Sequence, residues 1–189
     1  ARAAGELGEL RRRHAGYFLG FAEAAEFASP DAPTWLQRLD ADHNNVRASF
    51  DWALEHEPES ALRLGSAVWR FWYARGYLSE GARRLEAALV ATERAEPGLR
   101  TTRAGALTGA GVLAHYQGRY SRAAELCGQS LALCRAAGDR GGVAVALHGL
   151  ALVARAGGDF PMARTMYEEA RRIHEELGDR WGLSYTLRY

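Results

Sequence analysis

Residues 136–150, AAGDRGGVAVALHGL, are echoed forty residues later by residues 176–189, ELGDRWGLSYTLRY. Both copies contain the tripeptide Gly-Asp-Arg, and the match extends upstream, where Gly118 corresponds to Gly158. A fixed period between about 20 and 50 residues is typical of stacked arrays, in which each unit buries its apolar face only against its neighbours. The sequence therefore predicts a repeat array with a unit of 40 residues.

A more diverged copy of the unit precedes these two. Residues 74–89, ARGYLSEGARRLEAAL, match residues 116–131, YQGRYSRAAELCGQSL. We therefore expect residues 1–60 to form a helical lead-in that packs on the array. Residues 61–189 should hold three repeats and then a truncated helix, with the repeats at about 61–103, 104–142 and 143–182.

Each unit is predicted to be a pair of helices, because its apolar residues recur at spacings of three, four or seven and beta-branched residues are few. Gly118 and Gly158 can adopt the left-handed conformation that ends the first helix of a pair. The Gly-Asp dipeptides at 138–139 and 178–179 would end the second helix and cap the next one. The fold class is therefore all-α.

The lead-in is divided by Pro30 and Pro33, which end one helix and start another. An apolar stripe on the second helix is expected to pack on the array; it consists of Leu36, Leu39, Val46, Phe50 and Leu54. Residues 43–45, His-Asn-Asn, interrupt this stripe. They form either a local turn or cap, or a polar contact to a module outside this sequence.

Composition excludes several classes of function. All 24 basic residues are arginine, so the chain has no lysine for a Schiff base or for the phosphate-binding loop of an ATPase. The 23 acidic residues are interspersed with them and the formal charge is +1. This balance argues against non-specific electrostatic binding to nucleic acid or to an anionic membrane. No apolar run is long enough to span a membrane and no signal peptide is evident, so we expect a cytoplasmic protein.

No catalytic residue, metal site or cofactor is expected. Cys127 and Cys134 would lie about 10.5 Å apart on one helix, too far for a disulfide, and are predicted to be reduced core residues. His174 precedes Glu175 and Glu176, but adjacent helix positions point in different directions, so we expect a solvated face there. Because no catalytic spacing occurs, the chain is not expected to be an enzyme.

The matched repeat positions resemble those of the tetratricopeptide repeat. They comprise small residues at Gly111 and Ala151, aromatic residues at Tyr120 and Phe160, alanine at Ala123 and Ala163, and glycine at Gly118 and Gly158. This resemblance implies a right-handed α-solenoid of stacked antiparallel helix pairs. Because the usual unit has about 34 residues, the helices or their connections must be longer here.

The wider sequence is similar to the helical region of large bacterial regulators of the signal-transduction ATPase class, including LuxR-type and AfsR-like transcriptional regulators. The similarity rests on residues 35–55, WLQRLDADHNNVRASFDWALE, and residues 68–89, VWRFWYARGYLSEGARRLEAAL. Such regulators bind ATP and DNA through other modules, whereas this sequence lacks both G-x-x-x-x-G-K-[ST] and a basic helix-turn-helix. The resemblance implies a non-catalytic sensor segment of a longer ATP-dependent regulator, without direct contact to nucleic acid.

In proteins of this kind the first helix of each unit lines a concave groove. Aligned on Gly76, Gly118 and Gly158, the groove positions are Arg63, Ser66, Arg70, Tyr73, Gly105, Thr108, Val112, His115, Val145, His148, Leu152 and Arg155. The candidate ligand-binding residues among them are Arg63, Arg70, Tyr73, Thr108, His115, His148 and Arg155. These cationic and aromatic groups favour a peptide, a protein or a small anionic ligand, and the parent's own ATPase and DNA-binding modules are further candidate partners.

The aromatic run VWRFWYARGYL at residues 68–78 offers further candidates. Trp69 and Trp72 are expected in the core. Phe71 points to another face of the helix, so Tyr73 and Phe71 remain candidates for ligand stacking or for a protein contact.

Two classes of function remain open. The first is the sensor module described above. The second is a structural scaffold without a small-molecule ligand, in which copies form a homodimer or larger assembly through exposed repeat ends. The apolar residues expected at the truncated end are Trp181, Leu183, Tyr185 and Leu187.

Overall fold

The computed structural model describes residues 2–27, 29–93, 97–179, 182, 183 and 186, and its described residues contain helices but no strands. The helices are α1 (Arg2–Glu23), α2 (Ala32–Ala41), α3 (His43–His56), α4 (Pro58–Ala74), α5 (Leu78–Ala91), α6 (Arg100–Tyr116), α7 (Tyr120–Ala137), α8 (Arg140–Ala156) and α9 (Phe160–Leu177). A short 3-10 helix, Pro97–Leu99, precedes α6.

The helices stack as successive pairs, α4 with α5, α6 with α7 and α8 with α9. The first helices of the pairs contact one another, α4 on α6 and α6 on α8, and form the inner layer of the array. In the lead-in, α1 packs against α3 and also against α4, so it continues the inner layer. The predicted all-α solenoid of stacked helix pairs is confirmed.

Glycine turns set the period of the array. Gly118 and Gly158, which end the first helix of their pairs, have φ of 75° and 82°, and Gly138 and Gly178, which end the second, have φ of 68° and 67°. Asp139 then accepts a hydrogen bond from the Gly142 amide at 2.9 Å, as predicted for a cap. The 40-residue unit is longer than usual because its helices have 17 or 18 residues.

Helix α4 is buried against both α3 and α6. Phe50 of α3 contacts Trp72 with ring centroids 6.1 Å apart, and Trp69 packs under α6, where a Cβ on Gly109 would lie 2.6 Å from the indole Cγ. The prediction that Phe71 is available for a ligand is wrong, because Phe71 is completely buried. The lead-in covers the face of α4 that does not meet α6, so Phe71 packs against His43 of α3.

The lead-in forms a second apolar contact with the array. Leu39, Val46 and Phe50 of the predicted stripe are buried, and Leu36 and Leu54 pack partly buried against the same core. The helical segment is interrupted at Asp42, between α2 and α3. There the side-chain amide of Asn45 donates to the Asp42 carboxylate at 2.9 Å. Asn45 therefore makes a local contact from the first turn of α3 to the residue that precedes the helix.

An ionic network fastens α3 to α5 beside this core. Glu80 of α5 accepts a hydrogen bond from Arg47 Nε at 2.8 Å, and Arg84 Nε lies 3.2 Å from the same carboxylate while also pairing with Asp51. Burial alone would raise the pKa of Glu80, but the Arg47 hydrogen bond and the surrounding positive charges lower that pKa overall. The network favours one orientation of the lead-in on the array.

Candidate functional site

Two hollows on the concave side join into one cleft. The first, of about 410 Å³, lies between the end of α1 and α4, and the second, of about 320 Å³, lies between α4, α6 and the start of α8. Ser66 and Arg70 of α4 line both hollows, so the two hollows adjoin at these residues. We call this surface the concave cleft. Five of the predicted groove positions line its second hollow: Ser66, Arg70, Gly105, Thr108 and Val145.

The floor of the concave cleft is made largely of small residues. Ala22 and Ala67 lie in the first hollow, and Gly105, Gly141 and Gly142 lie in the second. Small side chains allow a bound segment to approach the helices closely, so the cleft can hold a polypeptide main chain against its floor. A surface with this shape suits recognition of an extended segment better than capture of a compact ligand.

The two arginines predicted for the first unit differ in their surroundings. Arg63 Nε and Nη2 each donate to the Glu23 carboxylate of α1 at 2.8 Å, so this guanidinium fastens α1 to α4. The Arg70 guanidinium lies 4.5 Å from the ring centroid of Trp69 and borders both hollows of the concave cleft. Of the two residues, Arg70 is the one that lines the concave cleft.

Tyr73, His115 and Arg155 lie in a different part of the inner layer. The Tyr73 hydroxyl donates to the Tyr116 hydroxyl at 3.1 Å, and the His115 ring lies 5.1 Å from that of Tyr116. Burial and then the nearby charge of Arg155 lower the pKa of His115. Tyr73, Tyr116 and His115 form an aromatic cluster at the ends of α4 and α6, which is completed by Tyr120, with its ring 5.4 Å from His115.

Thr108 is not available as a polar ligand group, contrary to the prediction. It is buried, and its hydroxyl lies 2.7 Å from the Ser130 hydroxyl of α7. Ser130 in turn donates to the Ala104 carbonyl oxygen at 2.8 Å. The side chain therefore borders the concave cleft while its hydroxyl bonds the two helices of one repeat.

His148 is also buried and not exposed in a groove, so this prediction is wrong as well. Its ring packs 5.4 Å from that of Tyr167 on α9. Burial, followed by the charges of His174, His115 and Arg155, lowers the pKa of His148 to about 4. The imidazole is therefore neutral near pH 7 and part of the packing between α8 and α9.

The prediction that His174 lies on a solvated face is wrong. Its side chain is buried instead of solvated, and Nδ1 lies 3.0 Å from Oδ2 of Asp179. Asp179 Oδ1 also accepts a hydrogen bond from the Gly182 amide at 2.9 Å, as predicted for a cap. Burial lowers the pKa of His174, Asp179 opposes this shift, and Arg70 adds to it.

The described residues after α9 explain why the centre of the inner layer is closed. Gly182 and Thr186 face Trp69, His148 and His174 across a cavity of only about 20 Å³, with room for about one water molecule. Leu183 is half-buried, whereas the predicted exposed residues Trp181, Tyr185 and Leu187 lie outside the described part of the chain. The open part of the concave surface is therefore the cleft around Ser66 and Arg70.

Neither cysteine has the environment of a reactive thiol. Cys127 and Cys134 are free and buried, as predicted, and burial raises the pKa of Cys127 to about 12. Among the described residues, no group of three His, Cys, Asp or Glu side chains could hold a metal ion. Within the same part of the chain, no helix is long and apolar enough to cross a membrane.

Comparison with known proteins agrees with the repeat geometry. Residues 102–176, which run from α6 into α9, match the family model of the tetratricopeptide repeat. A search of curated proteins found no match. Among solved structures, the chain is similar to the crystal structure of BtubC (BKLC) from P. vanneervenii, with a TM-score of 0.62 and 17% sequence identity over 93% of this chain and 80% of that chain.

These similarities show a helical-repeat fold that includes a tetratricopeptide-repeat-like region. At 17% identity, the structural likeness describes the fold and not the activity. Tetratricopeptide repeats generally mediate protein–protein interaction and are generally non-catalytic.

Proposed function

We propose that this chain is a protein-interaction module that holds an extended segment of a partner protein in the concave cleft. The main observation behind the proposal is that the two hollows share Ser66 and Arg70, so that together they cross α1, α4, α6 and the start of α8. Neighbouring helices pack about 8–10 Å apart, so the cleft spans about 24–30 Å. At about 3.3 Å per residue, it matches seven to nine residues of extended chain.

The parent protein in this proposal is a cytoplasmic ATP-dependent transcriptional regulator, in keeping with the resemblance carried by residues 35–55 and 68–89. The chain acts there as a non-catalytic sensor segment. A segment bound in the cleft, from the parent's ATPase module or from another protein, shifts the regulator between two states because it binds one state more tightly than the other. The phosphate-binding loop of the ATPase belongs to another module, since this chain has no lysine for one.

A structural scaffold is the second candidate, and it is favoured by exposed apolar side chains at the turns within repeats. Phe160 is 65% exposed, Met162 48% and Tyr120 46%. Side chains of this kind are enriched in contacts between proteins. In this alternative, copies of the chain or a docking protein cover the turns and the concave cleft carries no ligand.

The experiment that separates the two is selection of a displayed random library of peptides of about eight residues on the folded chain, followed by binding of the selected peptides to two variants. Gly141→Trp places a large side chain in the cleft, where an added Cβ has only ordinary contacts. Gly128→Trp is the matched control, because an added Cβ there meets no atom within 4 Å and Gly128 does not line the cleft.

The proposal predicts that Gly141→Trp weakens peptide binding at least about tenfold and that Gly128→Trp leaves it within about twofold. If no peptide is selected and the chain instead self-associates through Phe160, the scaffold is the better account. Both variants should keep the helical circular dichroism of the parent chain.

A further inference from the structure

The charge of the concave cleft differs from the charge that the sequence led us to expect. Among the residues that the structure describes, its lining carries four carboxylates, Glu23, Glu26, Asp139 and Asp179, and one guanidinium, that of Arg70. The whole chain, in contrast, has a formal charge of +1. The negative charge is therefore concentrated in the cleft and is not a property of the chain as a whole.

The carboxylates lie at the two ends of the cleft. Glu23 and Glu26 belong to the first hollow, beside the end of α1, whereas Asp139 and Asp179 belong to the second, beside the starts of α8 and of the segment after α9. Arg70 lies between them, where the two hollows meet. The cleft thus has the charge order negative, positive, negative along its length.

Only some of the carboxylates in the cleft are paired with a positively charged side chain. Arg63 neutralises Glu23, so Glu26 supplies the remaining charge at the first end. At the second end, the Asp139 carboxylate accepts the hydrogen bond from the Gly142 amide at the start of α8. Asp179 faces His174, whose lowered pKa keeps the imidazole neutral near pH 7.

We propose that the concave cleft selects an extended segment with basic residues at both ends, separated by an uncharged or acidic middle that faces Arg70. This inference rests on the proposed function and replaces the anionic ligand expected from the sequence. The ends of the cleft are about seven to nine residues of extended chain apart, so the basic residues must lie at that separation. Electrostatic complementarity of this kind chiefly sets specificity and the rate of association.

The test uses fluorescence anisotropy of three labelled nonapeptides with the full chain. The first, RRGSGSGRR, has arginines at both ends; the second, GSRRRRGSG, has the same composition with the arginines in the middle; the third, EEGSGSGEE, reverses the charge. We expect the first peptide to bind at least about tenfold more tightly than the third, and about threefold more tightly than the second. Binding should weaken between about 50 and 300 mM salt, because exposed charges are screened.

Two variants locate the binding, and a third is the matched control. Glu26→Gln and Asp139→Asn each remove one negative charge from one end of the cleft, and asparagine keeps the helix cap. Each should weaken the first peptide by about fivefold. Glu168→Gln removes the same charge from the exposed surface of α9, where Glu168 pairs with Arg164, and should change the affinity by less than about twofold.

The outcomes separate this inference from the proposed function. Tighter binding of EEGSGSGEE would overturn the inference while leaving a peptide-binding cleft in place. Equal affinity for the two arginine peptides, or equal losses in Glu26→Gln and Glu168→Gln, would show non-specific attraction and would also overturn it. If none of the three peptides binds and library selection fails as well, the inference and the proposed function are both wrong.

Discussion

Substituting Gly149 by alanine should destabilise the protein when the Cys127 sulfur atom is present and stabilise it when that atom is absent. Gly149 lies on α8, and an added Cβ would be 2.6 Å from Cys127 Sγ on α7, whereas its next neighbours are at 3.6 Å and 3.7 Å. Cys127 is completely buried, and Gly111 of α6 lies against the same sulfur atom, so the thiol has no free space to enter. The sulfur atom is therefore the only obstacle to a methyl group.

The magnitude follows from two opposing terms. Overpacking a core costs about 1–3 kcal/mol, while replacing glycine by alanine inside a helix gains up to about 1 kcal/mol. Gly149→Ala should therefore lower the free energy of unfolding by about 1–2 kcal/mol in the parent chain. In a Cys127→Ala background the obstacle is gone, and the same substitution should raise that free energy by about 0.5–1 kcal/mol. The expected coupling energy is about 2 kcal/mol.

Urea unfolding followed by circular dichroism would measure the four proteins of this cycle. Gly128→Ala is the control, because Gly128 lies within α7 and no atom comes within 4 Å of an added Cβ. It should stabilise the parent chain by about 0.5–1 kcal/mol. An equal effect of Gly149→Ala in both backgrounds would refute the close packing of α8 on α7 on which the array depends.

Three further predictions concern ionisable groups. Glu80→Gln should lower the free energy of unfolding by about 2 kcal/mol near pH 7, because it leaves Arg47 and Arg84 without their shared carboxylate. Since the folded-state pKa of Glu80 is lowered, this difference should shrink as the pH falls and wild-type Glu80 becomes protonated, as urea titrations at several pH values would show. The pKa of His148 is lowered from 6.5 to about 4, so the unfolded chain binds more protons between those values, and stability should fall by up to about 3 kcal/mol as the pH falls through that range; NMR titration of the imidazole should show the shift. Cys127, with its pKa raised to about 12, should react with a thiol reagent only as fast as the protein opens, and reaction at the rate of an exposed thiol would contradict its burial.

The repeat itself was predictable from the sequence because it depends on local chemistry. Glycine is required where the backbone φ is positive, and Gly118 and Gly158 meet that requirement at the same point of each unit. Aspartate after a helix-ending glycine caps the next helix, which Asp139 does. These rules act within a few residues, so a single sequence was sufficient to place the turns.

The polar face of the inner layer was not predictable in the same way. Periodicity assigns a side chain to a face, but it does not say what covers that face. His148 is buried because α9 packs over it, and His174, on α9 itself, is buried beneath the residues after α9, with Gly182 close to its ring. Phe71 is buried because the lead-in packs on the side of α4 away from α6. These outcomes depend on contacts between units that the spacing of one unit does not contain.

The sign of the charge in the concave cleft also depends on contacts between units. Arg63 and Arg70 suggested a site for an anion, yet Arg63 is paired with Glu23 of the lead-in. The carboxylate of Asp139, which the sequence identifies only as a helix cap, borders the cleft as well. A residue that serves one structural role can therefore decide the charge of a neighbouring surface.

The most direct test of peptide binding in the cleft is an NMR titration of the isotope-labelled chain with a peptide selected from the library. We expect the backbone amide shifts to cluster along the concave cleft, at Ser66, Arg70, Gly105 and Gly141. Shifts that cluster instead at the turns within repeats, around Phe160, would contradict the cleft as the binding surface and favour the scaffold.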